Sequence, residues 1–119
     1  MEGALLVGTG GAIGATLRYT VGQLLVSDRF PKATFAVNLV GTFVLGLVIF
    51  AGATNEIFLL IGIGACGAFT TFSSFSVETV EMWDDGAHMQ AVVYAVGTFL
   101  ACLIGVALAA GVVFVAGLL

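Results

Sequence analysis

The chain of 119 residues is 61% hydrophobic and only 8% charged, with a net charge of −4 and a mean hydropathy of +1.21. Soluble domains carry about 25% charged residues, so a water-soluble fold is excluded. Arg18, Arg29 and Lys32 are the only lysines or arginines, which argues against nucleic acid and anionic lipid as specific partners.

The charges gather at Asp28, Arg29 and Lys32 and again at Glu78, Glu81, Asp84 and Asp85, with long apolar runs between. Such runs fit bilayer spans of roughly 20 residues. The chain therefore reads as one all-α integral-membrane domain, residues 1–119, with four spans at about 3–27, 33–53, 57–83 and 89–118. The first span carries Gly10-x-x-x-Gly14 and then Arg18 directly before Tyr19. An ionisable residue inside a span is a functional candidate by default. Arg18 could instead snorkel to the interface or cap the carbonyls of a broken helix. The only proline, Pro31, sits in the loop that follows, where it fixes a turn.

The second span holds Asn38 in FAVNLVGTF. Its amide serves either an interhelical hydrogen bond or a polar pathway. The third span is the unusual one: GAFTTFSSFSVE (67–78) threads Thr70, Thr71, Ser73, Ser74 and Ser76 between Phe72 and Phe75. Gly62, Gly64 and Gly67 crowd ahead of this run, and the combination predicts a broken helix here. Irregular backbone at that depth survives only under protein or beside a water-filled cavity. Phe72 and Phe75 share a face, either for packing or as ring edges of partial positive charge. Hydroxyls, an amide and ring edges together suit a small anion, without a full positive charge to trap it.

Asp84–Asp85–Gly86 closes the third span. In the fourth, Gly97, Ala101, Gly105 and Ala109 form a small-residue ridge, and Tyr94, Thr98 and Cys102 recur beside it. That second stripe is either lipid-facing decoration or a buried polar track. Glu78 reads as a snorkelling residue, and the single histidine, His88, as a loop residue. No nucleophile–base pair or ligand cluster is visible, so an enzyme is not expected. Four helices of a 12.1 kDa unit enclose no pore alone, so oligomerisation along the small-residue ridges is expected.

GGAIGATLRY (10–19), FPKATFAVNLVGTF (30–43) and GACGAFTTFSSFSVE (64–78) resemble, in order, the signature stretches of the CrcB/Fluc fluoride channels. The resemblance covers nearly the whole chain. It implies a fluoride channel that exports cytoplasmic fluoride passively and protects against its toxicity. It further implies an antiparallel, dual-topology dimer in the plasma membrane of a prokaryote, a homodimer or a heterodimer with an oppositely oriented paralogue. By resemblance Phe72 and Phe75 line the pores, and Asn38, Ser74 and Thr71 supply donors. Tyr94, Thr98 and Cys102 match the fourth-span track, with cysteine a departure where a hydroxyl is expected. The resemblance also implies a helix break at Gly67–Thr70 whose carbonyls, from Gly67 and Thr70, would hold a structural sodium ion at the dimer interface, with Arg18 supporting a vestibule. Two rivals remain: a small dual-topology, proton-coupled multidrug exporter, which needs an embedded carboxylate where the first span has Arg18, and a structural subunit of a larger membrane complex.

Overall fold

The computed structural model describes residues 2–27 and 29–117. Among these every regular element is helical: α1 (Glu2–Leu24), α2 (Lys32–Phe50), α3 (residues 55–69), α4 (Phe72–Asp84) and α5 (His88–Val115). Helices cover most of the four stretches read as spans. The end of the fourth at residue 118, and Asp28 in the first loop, lie outside the described residues. Among the described residues three stretches are long and apolar enough to cross a membrane: Lys32–Phe50, α3 with α4 as Asn55–Asp84, and His88–Val115. At 1.5 Å per residue α1 is roughly 34 Å long, but glycines, threonines and Arg18 dilute its apolar character.

Glycine ends two of the helices, at Gly86 as expected and at Gly52 inside the expected second span. Gly52 and Gly86 take the left-handed conformation (φ +66° and +85°) just past α2 and α4. Their amides and those of Ala53 and Ala87 return to the last helical carbonyls, a common glycine-dependent helix ending. Pro31 precedes α2, and Thr54 caps α3 by accepting from the Ile57 amide. His88 opens α5 instead of lying in a loop, its ring 4.2 Å from that of Trp83.

The tightest seam joins α1 to α3. A Cβ on Gly10 would collide with the backbone of Leu60 and Ala65, one on Gly14 with the backbone of Ala65, and one on Gly64 would lie 2.7 Å from the Val7 carbonyl. Small residues therefore let two backbones touch, as membrane interfaces favour. Over this contact Phe58–Cys66 winds as a π-helix, a form that is rare beyond a single turn and frequent at functional sites. On the other side α5 packs on α2, with Gly105 against Leu39 and Ala109 against Gly46. Gly97 does not join that seam; it is exposed, and a Cβ there would meet nothing within 4 Å.

The helix break is real but sits later than the glycines suggest. Gly67 is helical (φ −61°, ψ −37°), and the chain extends at Thr70 (φ −84°, ψ 160°) and Thr71 (φ −151°, ψ 116°). Gly62 and Gly64 serve helix packing, whereas β-branched threonines accept extended backbone readily and cap helices well. The break therefore belongs to Thr70–Thr71, not Gly67–Thr70.

Candidate functional site

An extended dipeptide inside a membrane span exposes backbone groups that require partners, and each finds one here. The Thr71 amide donates to Asn38 Oδ1 at 2.8 Å, and Asn38 Nδ2 donates to the Thr71 carbonyl at 3.0 Å. Asn38 thus pairs with Thr71 as a neighbouring strand residue would. One guanidinium nitrogen of Arg18 donates to the Thr70 carbonyl at 3.2 Å. Of the readings open for Arg18, capping a broken helix is the one found.

The hydroxyl run is largely self-satisfied. Thr70 Oγ1 donates to the Cys66 carbonyl and Ser76 Oγ to the Phe72 carbonyl, each at 2.9 Å. Thr71 Oγ1 caps α4 by accepting from the Ser74 amide at 3.2 Å, and donates to Ser74 Oγ at 3.1 Å. Ser73 Oγ lies 3.3 Å from the same oxygen. Because Thr71 spends its only proton on Ser74, the Ser74 hydroxyl keeps its own proton for another acceptor.

Two cavities flank this cap. One of about 550 Å³ is lined by Asn38, Gly67, Thr70, Thr71, Phe72, Phe75, Thr98 and Cys102, with apolar side chains of α2, α3 and α5. None of its lining residues is charged. The other, of about 360 Å³, is lined by Ser73, Ser74, Val77 and Glu78. The residues expected at the site therefore converge, with three exceptions. Ser74 faces the second cavity, Tyr94 packs on the ring of Phe75 and lines neither, and Arg18 lies behind the break and lines neither.

Tyr94 is 1% and Thr98 5% exposed, so the fourth-span stripe is buried and not lipid-facing decoration. Cys102, half-buried, continues it along the first cavity. Thr98 Oγ1 is the buried side-chain polar atom without a hydrogen-bond partner among the described residues. The ring of Phe75 bridges Phe72 (5.9 Å between centroids) and Tyr94 (5.2 Å); Phe72 itself is 79% exposed.

Sequence reasoning missed two members. Glu78 does not snorkel: its Oε1 accepts from Thr34 Oγ1 at 2.6 Å and its Oε2 from the Tyr94 hydroxyl at 3.4 Å. The available signal was spacing. Thr34 stands one turn before Asn38, and Glu78 one turn after Ser74, so each extends a polar face already noted.

The described residues contain no group of three or more His, Cys, Asp or Glu able to hold a metal ion. The break offers backbone oxygens instead, a donor type suited to hard cations. Since the Thr71 amide turns to Asn38, the Gly67 carbonyl loses its i+4 helical donor and fits such a role. The Thr70 carbonyl already receives Arg18 and fits only through its second lone pair.

Residues 5–112 match the family model described as "CrcB-like protein, Camphor Resistance (CrcB)". Among curated proteins, the chain is 50% identical over 113 residues to "Fluoride-specific ion channel FluC 2" of Haloarcula marismortui, covering 95% of each chain. It is 46% identical over 106 residues to "Fluoride-specific ion channel FluC 1" of Halobacterium salinarum, covering 89% of each. With "Fluoride-specific ion channel FluC" of Helicobacter pylori strain G27 it shares 40% identity over 111 residues, covering 83% of each.

Proposed function

The chain belongs to the CrcB family, and from that premise we propose that it is a fluoride-selective channel through which cytoplasmic fluoride leaves the cell down its electrochemical gradient. It is a multi-pass membrane protein and not an enzyme. The observation that carries the reading is the uncharged cavity at the helix break, where the amide of Asn38, the hydroxyls of Thr71 and Thr98 and the rings of Phe72 and Phe75 meet. Fluoride is the smallest and most tightly hydrated halide. Dense neutral donors replace its water shell, and the absence of a full positive charge lets it leave again. The unpartnered Thr98 hydroxyl supplies a donor of that kind in this cavity, and Ser74 offers a spare proton on the second cavity. Ring edges of Phe72 and Phe75 add partial positive charge, and relatives named as fluoride-specific channels support the choice of ion.

In this reading α1 is the fourth span. Two chains pack antiparallel in the cell membrane of a prokaryote, as a homodimer or with an oppositely oriented paralogue, and lipid covers the remaining apolar faces. The carbonyls of Gly67 and Thr70 from each chain would hold a sodium ion, which when bound supplies positive charge between the carbonyl ends of the broken helices. Arg18 shares that task from within the chain, at the Thr70 carbonyl. A proton-coupled drug exporter is not favoured: Glu78 is engaged by Thr34 and Tyr94, and the named relatives are fluoride channels.

The test is Phe75→Ile. It keeps an apolar side chain but removes the ring between Phe72 and Tyr94. Reconstituted in liposomes loaded with fluoride, the folded variant is expected to release none above the protein-free leak. Release at the unaltered rate would remove Phe75 from the path.

A further inference from the structure

The loop before α2 is not a passive connection, because it reaches the far end of the polar line. The Phe30 ring meets Tyr94 edge-on, with centroids 5.3 Å apart and planes at 88°, and touches Phe35 at 6.1 Å. The loop is pinned at both ends of this contact. The Phe30 amide donates to Ser27 Oγ at 3.4 Å, the Phe30 carbonyl accepts from the Lys32 amide at 2.7 Å, and the Gln90 side chain donates to the Arg29 carbonyl. Phe30 itself lines neither cavity at the break.

Tyr94 is therefore held between two rings, Phe75 on the cavity side and Phe30 on the loop side. Its hydroxyl reaches Glu78 Oε2 at 3.4 Å, a long hydrogen bond beside the 2.6 Å bond from Thr34 to the other carboxylate oxygen. Hydrogen bonds of that length respond steeply to small shifts. A tyrosine ring has two soft torsions, so the rings that confine it decide where its hydroxyl lies.

On the premise that the break is the fluoride path, we propose that Phe30 is a positioning residue for transport: it fixes the Tyr94 phenol on Glu78, without touching the ion. Edge-to-face aromatic pairs are strong enough that losing one is expected to slow a step that depends on it by about two- to tenfold. Initial fluoride efflux from liposomes is compared for the unaltered chain, Phe30→Ala, Phe30→Leu, Tyr94→Phe and Phe30→Ala with Tyr94→Phe, with helix content checked by circular dichroism. Phe30→Ala slows efflux about fivefold, Phe30→Leu recovers part of the loss, and the double variant is no slower than Tyr94→Phe alone, since Phe30 has nothing left to position. Losses that multiply in the double variant overturn the proposal, as does normal efflux in a folded Phe30→Ala or in Tyr94→Phe. If Phe30→Ala does not fold, Phe30→Leu takes its place, alone and with Tyr94→Phe, under the same criteria. Absence of efflux from the unaltered chain defeats the channel reading itself, a result separate from these.

Discussion

At the scale of single residues, Asn38 is the member on which most depends. Its side chain satisfies both the amide and the carbonyl of Thr71 while also facing the cavity. Asn38→Asp keeps the acceptor for the Thr71 amide but sets a second acceptor against the Thr71 carbonyl and adds negative charge inside the membrane. A charge at that depth costs about 3 kcal/mol, so fluoride efflux is expected to fall roughly hundredfold, with helix content by circular dichroism unchanged. Efflux near the unaltered rate would mean that Asn38 is a structural clamp and no part of the path. Such residues are legible in a sequence because polar groups in an apolar run stand out. Their partners are not. Thr34 and Glu78 are 44 positions apart and meet only when α2 and α4 pack, so Glu78 alone reads as a residue seeking the interface.

At the scale of elements, two kinds of glycine look alike in the sequence and differ in the fold. Gly10 has no room for a Cβ against α3, whereas Gly8 on the same helix has nothing within 4 Å. Gly10→Ala is expected to lower stability by about 2–3 kcal/mol through forced separation of two backbones. Gly8→Ala is expected to leave it equal or raised by about 0.5–1 kcal/mol. Thermal unfolding in detergent, followed by circular dichroism, separates the two, and equal losses would contradict the α1–α3 seam. The same distinction explains the misplaced break. Gly62, Gly64 and Gly67 resemble a breaking signal, but helix packing holds the first two, and Gly67 stays helical on the cavity wall. Extended backbone falls to Thr70 and Thr71, where Asn38 and Arg18 supply the partners. The π-helical winding of Phe58–Cys66 had no local sequence signal.

At the scale of the whole molecule, the cavity is walled by α2, α3, α4 and α5 of one chain, and in the proposed antiparallel pair a second chain would cover the exposed face of Phe72. An antiparallel pair of identical chains makes a specific demand. Arg29 and Lys32 give only a small charge bias between the two sides, which leaves both orientations open. A cysteine introduced at the exposed Asp85, in a chain with Cys66 and Cys102 replaced by serine, is expected to react with a membrane-impermeant maleimide from both sides of the membrane. Reaction from one side only would fix the orientation and require an inverted paralogue. Helical class and membrane embedding were legible in composition and charge pattern, and among the described residues three stretches are long and apolar enough to cross a bilayer. The pairing of chains was not, because no periodicity in one chain states which face a second copy meets.

The most direct measurement is ion release from liposomes that contain the purified protein, comparing an outward fluoride gradient with an equal chloride gradient. Rapid fluoride loss with chloride retained is the expected result, since neutral donors packed around the break at Thr70–Thr71 replace the water of the smaller ion. Chloride loss at a comparable rate, or fluoride retained in vesicles that hold folded protein together with any inverted paralogue, would contradict the assignment of this site as a fluoride path.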